Sequence, residues 1–405
     1  MAKPISGQSQ QPPGGKSRTK HPGFRPGAVR VGPRKGRAQS HPGVHPLDAV
    51  AHRNTSFQPL PRPLGLAPYH YDLSEHFPDI ADAITHDGKM VLHLIGDSGG
   101  VKDAEFQGNV ASLMIDALHN GANKPHFCYH VGDVVYYNGE KSQYYAQFYE
   151  PYSQYDAPIF PIPGNHDGEV DDPTSGQTSL DGFVAAFMQA NPDVDPISKD
   201  APRVGLNLPN VYWTLVTPFA TFIGIYTNVP EHGSIDSTQQ QWITNEFATA
   251  PDDRALIVAL HHPIYSFDTF HSGSSKMADV LENAIRDTGR VPNLVISGHV
   301  HDYQRIENHI AGETTPTPFL VIGNGGYHNL HQVHSSPGDV DSDTGATLRY
   351  AAVTYGFLTL TVDKNWITGV STEVDRNDTV KTPADKFKYT AKPLKLANGK
   401  TVKTL

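Results

Sequence analysis

Asp97, Asp133, Tyr136, Asn165, His166, Asp167, His261, His299 and His301 fall into five short blocks, each just past an apolar run. In chain order the blocks are Gly96-Asp97-Ser98-Gly99, Gly132-Asp133-Val134-Val135-Tyr136, Gly164-Asn165-His166-Asp167, Val258-Ala259-Leu260-His261 and Gly298-His299-Val300-His301. A Gly-Asp or Gly-Asn pair after a strand is usually a plain turn. Here seven oxygen and nitrogen donors arrive in a fixed order on consecutive loops, and together they point to a metal site. The chain has one cysteine, Cys128, so a multi-thiolate site and an intramolecular disulfide framework are excluded. Imidazole and oxygen must hold any ion.

The elements that position these blocks are legible as runs of five or six apolar residues. They are Met90–Ile95, His126–Val131, Pro158–Pro163, Ala255–Leu260 and Asn293–Ser297. Val- and Ile-rich runs without alternation predict strands buried on both faces. Strand C-terminal ends in such a sheet share an edge where loops converge on ligands. Between the first two runs, Phe106, Val110, Leu113, Met114, Ala117 and Leu118 repeat at helical spacing. Ser237 followed by Gln240 predicts a capping box ahead of Trp242, Ile243 and Phe247, and Lys276–Thr288 reads as a helix ended by Gly289. Val211–Thr227, Phe319–Gly323 and Tyr355–Val362 are β-rich. Strands alternating with helices predict an α/β layered domain.

Charge divides the chain in three. Residues 1–65 hold eleven basic residues and one acid, with eleven Pro and nine Gly, and predict a disordered basic extension. Residues 66–375 hold 13 basic and 39 acidic side chains and predict the catalytic domain. Residues 376–405 form a basic C-terminal segment with eight basic and two acidic residues. So acidic a body repels nucleic acid, leaving only weak polyanion contact for the basic tail. No stretch approaches the ~18 apolar residues of a membrane helix. Without an apolar signal sequence near the start, the expected location is the cytoplasm.

The five blocks together resemble the calcineurin-like metallophosphoesterases and, within them, the purple acid phosphatases. That pattern is GDxG, GDxxY, GNH(D/E), VxxH and GHxH, and it stands here complete and in order within about residues 88–365. The wider superfamily opens with Asp-x-His. Position 99 is Gly instead, and Tyr136 supplies the missing donor. The resemblance implies a four-layer α/β/β/α sandwich of two mixed sheets, of the compact type without an N-terminal β-sandwich. It also implies two metal ions, in such sites about 3.5 Å apart. Metal 1 would be held by Asp97, Asp133, Tyr136 and His301, and metal 2 by Asp133, Asn165, His261 and His299. A phenolate favours Fe(III) at metal 1, while Asn and two imidazoles suit Fe(II), Zn(II) or Mn(II) at metal 2.

The resemblance further implies hydrolysis of small phosphate monoesters by water that the ions activate, as in an acid phosphatase. His166 is the first candidate to protonate the leaving oxygen, with Asp167 fixing its ring; His271, ten residues past His261, is the second. His262 would be the ligand if the register slipped by one, but the Val-x-x-His spacing favours His261. Tyr303 and Tyr327 are expected to be pocket walls. Two rival readings are a phosphodiesterase acting on nucleotides or lipid head groups, and a binding protein that keeps the fold without activity. The family's tendency to export stands against a cytoplasmic location.

Overall fold

The expected strands form two facing sheets. The computed structural model describes residues 56–170, 174, 176–192, 196–203, 205–310, 315–374, 380–381 and 385–396. The larger sheet has eight strands, in the order His70–Asp72, Trp213–Val216, Ala220–Ile225, Ala255–Leu260, Leu294–Ser297, Thr317–Ile322, Tyr303–Asn308 and Thr347–Ala352. Its middle, from Ala220–Ile225 to Thr317–Ile322, is parallel. The second sheet runs Val380–Lys381, Trp366–Val374, Tyr355–Val362, Met90–Ile95, Phe127–His130 and Ile159–Pro161, the last three parallel. Tyr129 and Phe160 of this sheet pack on Trp213 and Phe222 of the other, with the Tyr129 and Phe222 rings stacked at 5.3 Å. Burying each such side chain stabilises by about 1.5–3 kcal/mol. With helices outside, the result is the layered sandwich of two mixed sheets that the resemblance implies.

The helices follow their apolar stripes with small differences at the ends. Ala104–Asn120 buries Val110 and Met114. Ser237–Thr249 buries Trp242, Ile243 and Phe247, but its cap is not the Ser237 capping box: the Asp236 side chain accepts the Gln239 N–H at 2.8 Å. A carboxylate there also meets the positive end of the helix dipole. Ser275–Thr288 begins one residue before Lys276, capped by Ser274, and ends at Gly289 with φ 69°.

Both ends of the body extend past the boundaries that charge suggested. Residues 1–55 of the basic extension lie outside the described residues, whereas 56–65 pack on the body. Gln58 exchanges backbone hydrogen bonds with the Asn228 side chain, and Leu64 and Gly65 N–H groups reach Pro209 O. In the C-terminal segment, Lys386–Thr390 pairs with Trp366–Val374, and Leu394–Lys395 pairs with Arg290–Val291. Asp385 is buried and takes two charge-assisted bonds from Arg305, at 2.8 and 2.9 Å. Tyr303 is therefore no pocket wall: its hydroxyl donates to the same Asp385, at 3.0 Å. Asp385→Ala leaves a guanidinium only 14% exposed with the Tyr389 hydroxyl at 3.0 Å and Glu307 at 3.8 Å, so an unfolding loss of about 1.5–3 kcal/mol is expected. A loss below about 1 kcal/mol in urea titrations would mark the pair as an ordinary surface bridge.

Candidate metal centre

Every donor block leaves a parallel strand at its C-terminal end, three from one sheet and two from the other, so the loops meet where the sheets adjoin. Close approach demands unusual backbone. Asp97 and Asp133 sit at φ 53° and His299 at φ 68°, in the left-handed region that costs most residues about 1–2 kcal/mol. Gly132 has φ 102°, and a Cβ there would lie 2.6 Å from His261 Nδ1. Carboxylates then lock the loops to one another. Asp97 Oδ2 accepts the His299 N–H at 2.9 Å, and Asp133 Oδ1 accepts the His166 N–H at 2.9 Å. Each acid keeps its other oxygen for the centre.

What those oxygens face is a pair of donor groups. In the first, Tyr136 Oη is 3.1 Å from Asp97 Oδ1 and 3.3 Å from His301 Nε2. In the second, Asn165 Oδ1 is 3.1 Å from His261 Nε2 and 3.0 Å from His299 Nδ1. Asp133 Oδ2 lies 3.3 Å from His261 Nε2, is buried, and has no hydrogen-bond partner among the described residues, while Asp133 also abuts the Tyr136 phenol. It touches both groups.

The imidazole tautomers test whether metal ions fit. His261 Nδ1 donates to Val131 O and His301 Nδ1 donates to Asn329 O, both at 2.9 Å. In the neutral ring each Nε2 is then a lone pair aimed at other lone pairs. The Asn165 amide is oriented likewise, because its Nδ2 donates to Glu169 and its oxygen is turned inward. Converging lone pairs repel unless positive charge lies between them. The titration shifts show the same demand for positive charge, which a proton on His261 meets when no ion is present. Burial alone would lower the His261 imidazole, yet Asp133 and Asp97 beside it push it up to about 9. Burial pushes the Asp97 carboxyl up to about 7. Burial, then Asp133 and Asp97, hold the Tyr136 phenol well above its usual range, so only a strong cation makes it a phenolate. The donors fit two ions.

Gly99 completes the first group. A Cβ at position 99 would stand 2.7 Å from the Tyr136 ring and 2.5 Å from Gln147 Oε1, which accepts the Tyr136 N–H. The tyrosine occupies the space that a longer residue at 99 would need. Its ring stacks on Tyr327 at 4.0 Å and meets Tyr137 edge-on at 6.4 Å, so Tyr327 is a wall of the site. His262 packs its ring 4.3 Å from that of His299, and its Nδ1 lies on the Thr227 hydroxyl at 2.7 Å rather than in either donor group.

Asp167 does something other than fix the His166 ring. Its carboxylate accepts the N–H groups of Val134, Val135 and Gly164, at 3.1, 3.1 and 2.8 Å, and so clamps two ligand loops together. Three amide donors in reach satisfy the carboxylate better than one imidazole. The His166 ring is held by Tyr137 O, 2.7 Å from Nδ1, and stands 4.5 Å from the Tyr136 ring. His271 lies at the rim over His299, rings 4.7 Å apart, with Nδ1 3.0 Å from Glu231. Glu169, Glu231, Asp268 and His331 also join the site, and no sequence block marks them. His331 stands 4.4 Å from the His301 ring, its Nδ1 3.5 Å from Asp268 Oδ2.

Two facing sheets with this donor set at their parallel ends define a metallophosphoesterase. The chain belongs to the calcineurin-like phosphoesterase family, whose model matches residues 90–303, just over half of it. Among solved structures it is similar to purple acid phosphatase PPD1 from yellow lupin (Lupinus luteus) seeds, at 16% identity and TM-score 0.50. That match covers 74% of this chain and 53% of the other, so the chain spans about half the length of the lupin protein. It is also similar to GAP50, the anchor in the inner membrane complex of Plasmodium, at 17% identity and TM-score 0.53, over 75% of this chain and 89% of that one. At these identities the likeness is one of fold. No curated protein matches the chain. Among the described residues no helix is long and apolar enough to cross a membrane.

Proposed function

We propose that the chain is a binuclear phosphomonoesterase of the purple acid phosphatase type, with Fe(III) at metal 1 and Fe(II), Zn(II) or Mn(II) at metal 2. The observation that carries the reading is the pair of lone-pair groups, one containing a buried phenol beside Asp97, joined through Asp133. A structural anchor shares the fold, so fold alone does not decide for catalysis. The donor set does.

When bound, the ions supply charge against the phosphoryl oxygens and acidity to activate a water. The chain's own residues do the rest. His166 turns Nδ1 to Tyr137 O, so Nε2 is the ring nitrogen that this reading assigns to the substrate. From the opposite rim His271, tied to Glu231, offers a second ring nitrogen. Each can donate to the departing oxygen, and Tyr327 and Tyr137 wall the space beside them. Freshly purified protein is expected to hold two ions including iron, absorb in the visible, and hydrolyse 4-nitrophenyl phosphate faster than its bis(4-nitrophenyl) diester. Faster diester cleavage would turn the reading to a phosphodiesterase, and metal-loaded protein without either activity would turn it to a binding protein.

A further inference from the structure

Two of the three ligand imidazoles are oriented by hydrogen bonds on the ring nitrogen that does not face the donor groups. His261 and His301 use backbone carbonyls, both on Nδ1. His299 is turned the other way. Its Nδ1 lies in the second donor group, 3.0 Å from Asn165 Oδ1, so with an ion on Nδ1 the nitrogen that carries the proton is Nε2. That atom is buried and finds no hydrogen-bond partner among the described residues; Glu231 Oε1 lies 3.6 Å away.

Glu231 is half exposed, and such a carboxylate ordinarily drifts in water. Its turn is tied down. Gly233 N–H reaches Pro230 O and Ser234 N–H reaches Thr227 O, each at 2.8 Å. The Ser274 hydroxyl, which caps the helix Ser275–Thr288, also donates to His232 O in the same turn.

We propose that Glu231 is a positioning carboxylate for the second ion: it draws the proton of His299 to Nε2 and leaves Nδ1 free to ligate. The inference rests on the two-ion reading of the site. Carboxylate–imidazole–metal relays of this kind fix the tautomer and raise the ligand's basicity, and losing the carboxylate weakens metal binding about 10–100-fold. The same oxygen holds His271, so one side chain aligns a ligand and a rim histidine.

The test uses the full chain and measures metal content and Zn(II) affinity by chelator competition. Wild type is expected to hold two ions. Glu231→Ala should keep the first and bind the second roughly 10–100-fold more weakly, with the metal-free melting temperature little changed. Glu231→Gln, whose amide oxygen still accepts a hydrogen bond, should recover part of that loss. His271→Ala should leave Zn(II) affinity near wild type, because Glu231 still faces His299. An unaltered second site in Glu231→Ala overturns the proposal, and so does an equal loss in His271→Ala. A third Zn(II) equivalent that Glu231→Ala loses also overturns it, since Glu231, His271 and His299 would then be ligands of an ion of their own. A wild type that binds no ion refutes the two-ion reading itself, and this role with it.

Discussion

Asp133→Asn is expected to strip the protein of both ions, and its hydrogen bonds explain why. The new amide has one oxygen and one NH2, and the His166 N–H selects which goes where. That N–H now donates to Oδ1, so the amide oxygen takes the Oδ1 place and the NH2 group takes the place of Oδ2. Oδ2 is the atom 3.3 Å from His261 Nε2 with no hydrogen-bond partner among the described residues, and an amide nitrogen is no ligand. Metal affinity should fall by more than the roughly 10–100-fold that losing an outer partner costs, and hydrolysis should fall with it. Stability should fall as well. Burial opposes the Asp133 charge, yet the His261, His166 and His299 rings beside it hold its carboxyl well below the usual range, so the metal-free variant should melt below the wild-type temperature. Two retained ions with near-normal turnover would remove Asp133 from the shared position.

Tyr136→Phe should give the second large effect, in colour before rate. A phenolate on Fe(III) makes a charge-transfer band; a phenyl ring cannot. The ring itself keeps its place, stacked on Tyr327 and beside His166. Its backbone also stays pinned by Gln147, through bonds of 2.9 and 2.6 Å. Iron content should therefore fall less than absorbance, and turnover should drop by about tenfold or more while Asp97, Asp133 and His301 hold what remains. An iron-loaded variant with an unchanged visible band would exclude the phenol as a ligand. A colourless wild type with two divalent ions would keep the phosphoesterase and discard the iron.

The ligand blocks could be read in the sequence because each is local: a buried strand, a turn and a donor within a few residues. The same holds for the helix stripes. What could not be read is set by approach in space. Glu231 meets His271 forty residues on, and Asp268 meets His331 across two loops with no period to announce either pair. Asp167 looked like a partner for its neighbour His166, yet the three amides it serves come from loops that only the fold brings near. Charge misled at the C-terminus. Lys386–Thr390 alternates exposed lysines with buried Phe387 and Tyr389, and a count of charges sees only the lysines. Asp385 looks unremarkable until Arg305 is beside it.

The contact between Gly99 and Tyr136 bears on how such a site is reached by descent. The two ways of completing the first donor group, a side chain at 99 or a phenol from 136, claim the same volume. A lineage passing from one to the other has no comfortable halfway point. With both present the site is overfilled, and the Gln147 bond to the Tyr136 backbone must break; with neither, the first ion has lost a donor. The exchange has to cross a poorer protein or happen in two changes together. That barrier makes position 99 and position 136 a linked pair, and reading either alone would misjudge which branch a sequence belongs to.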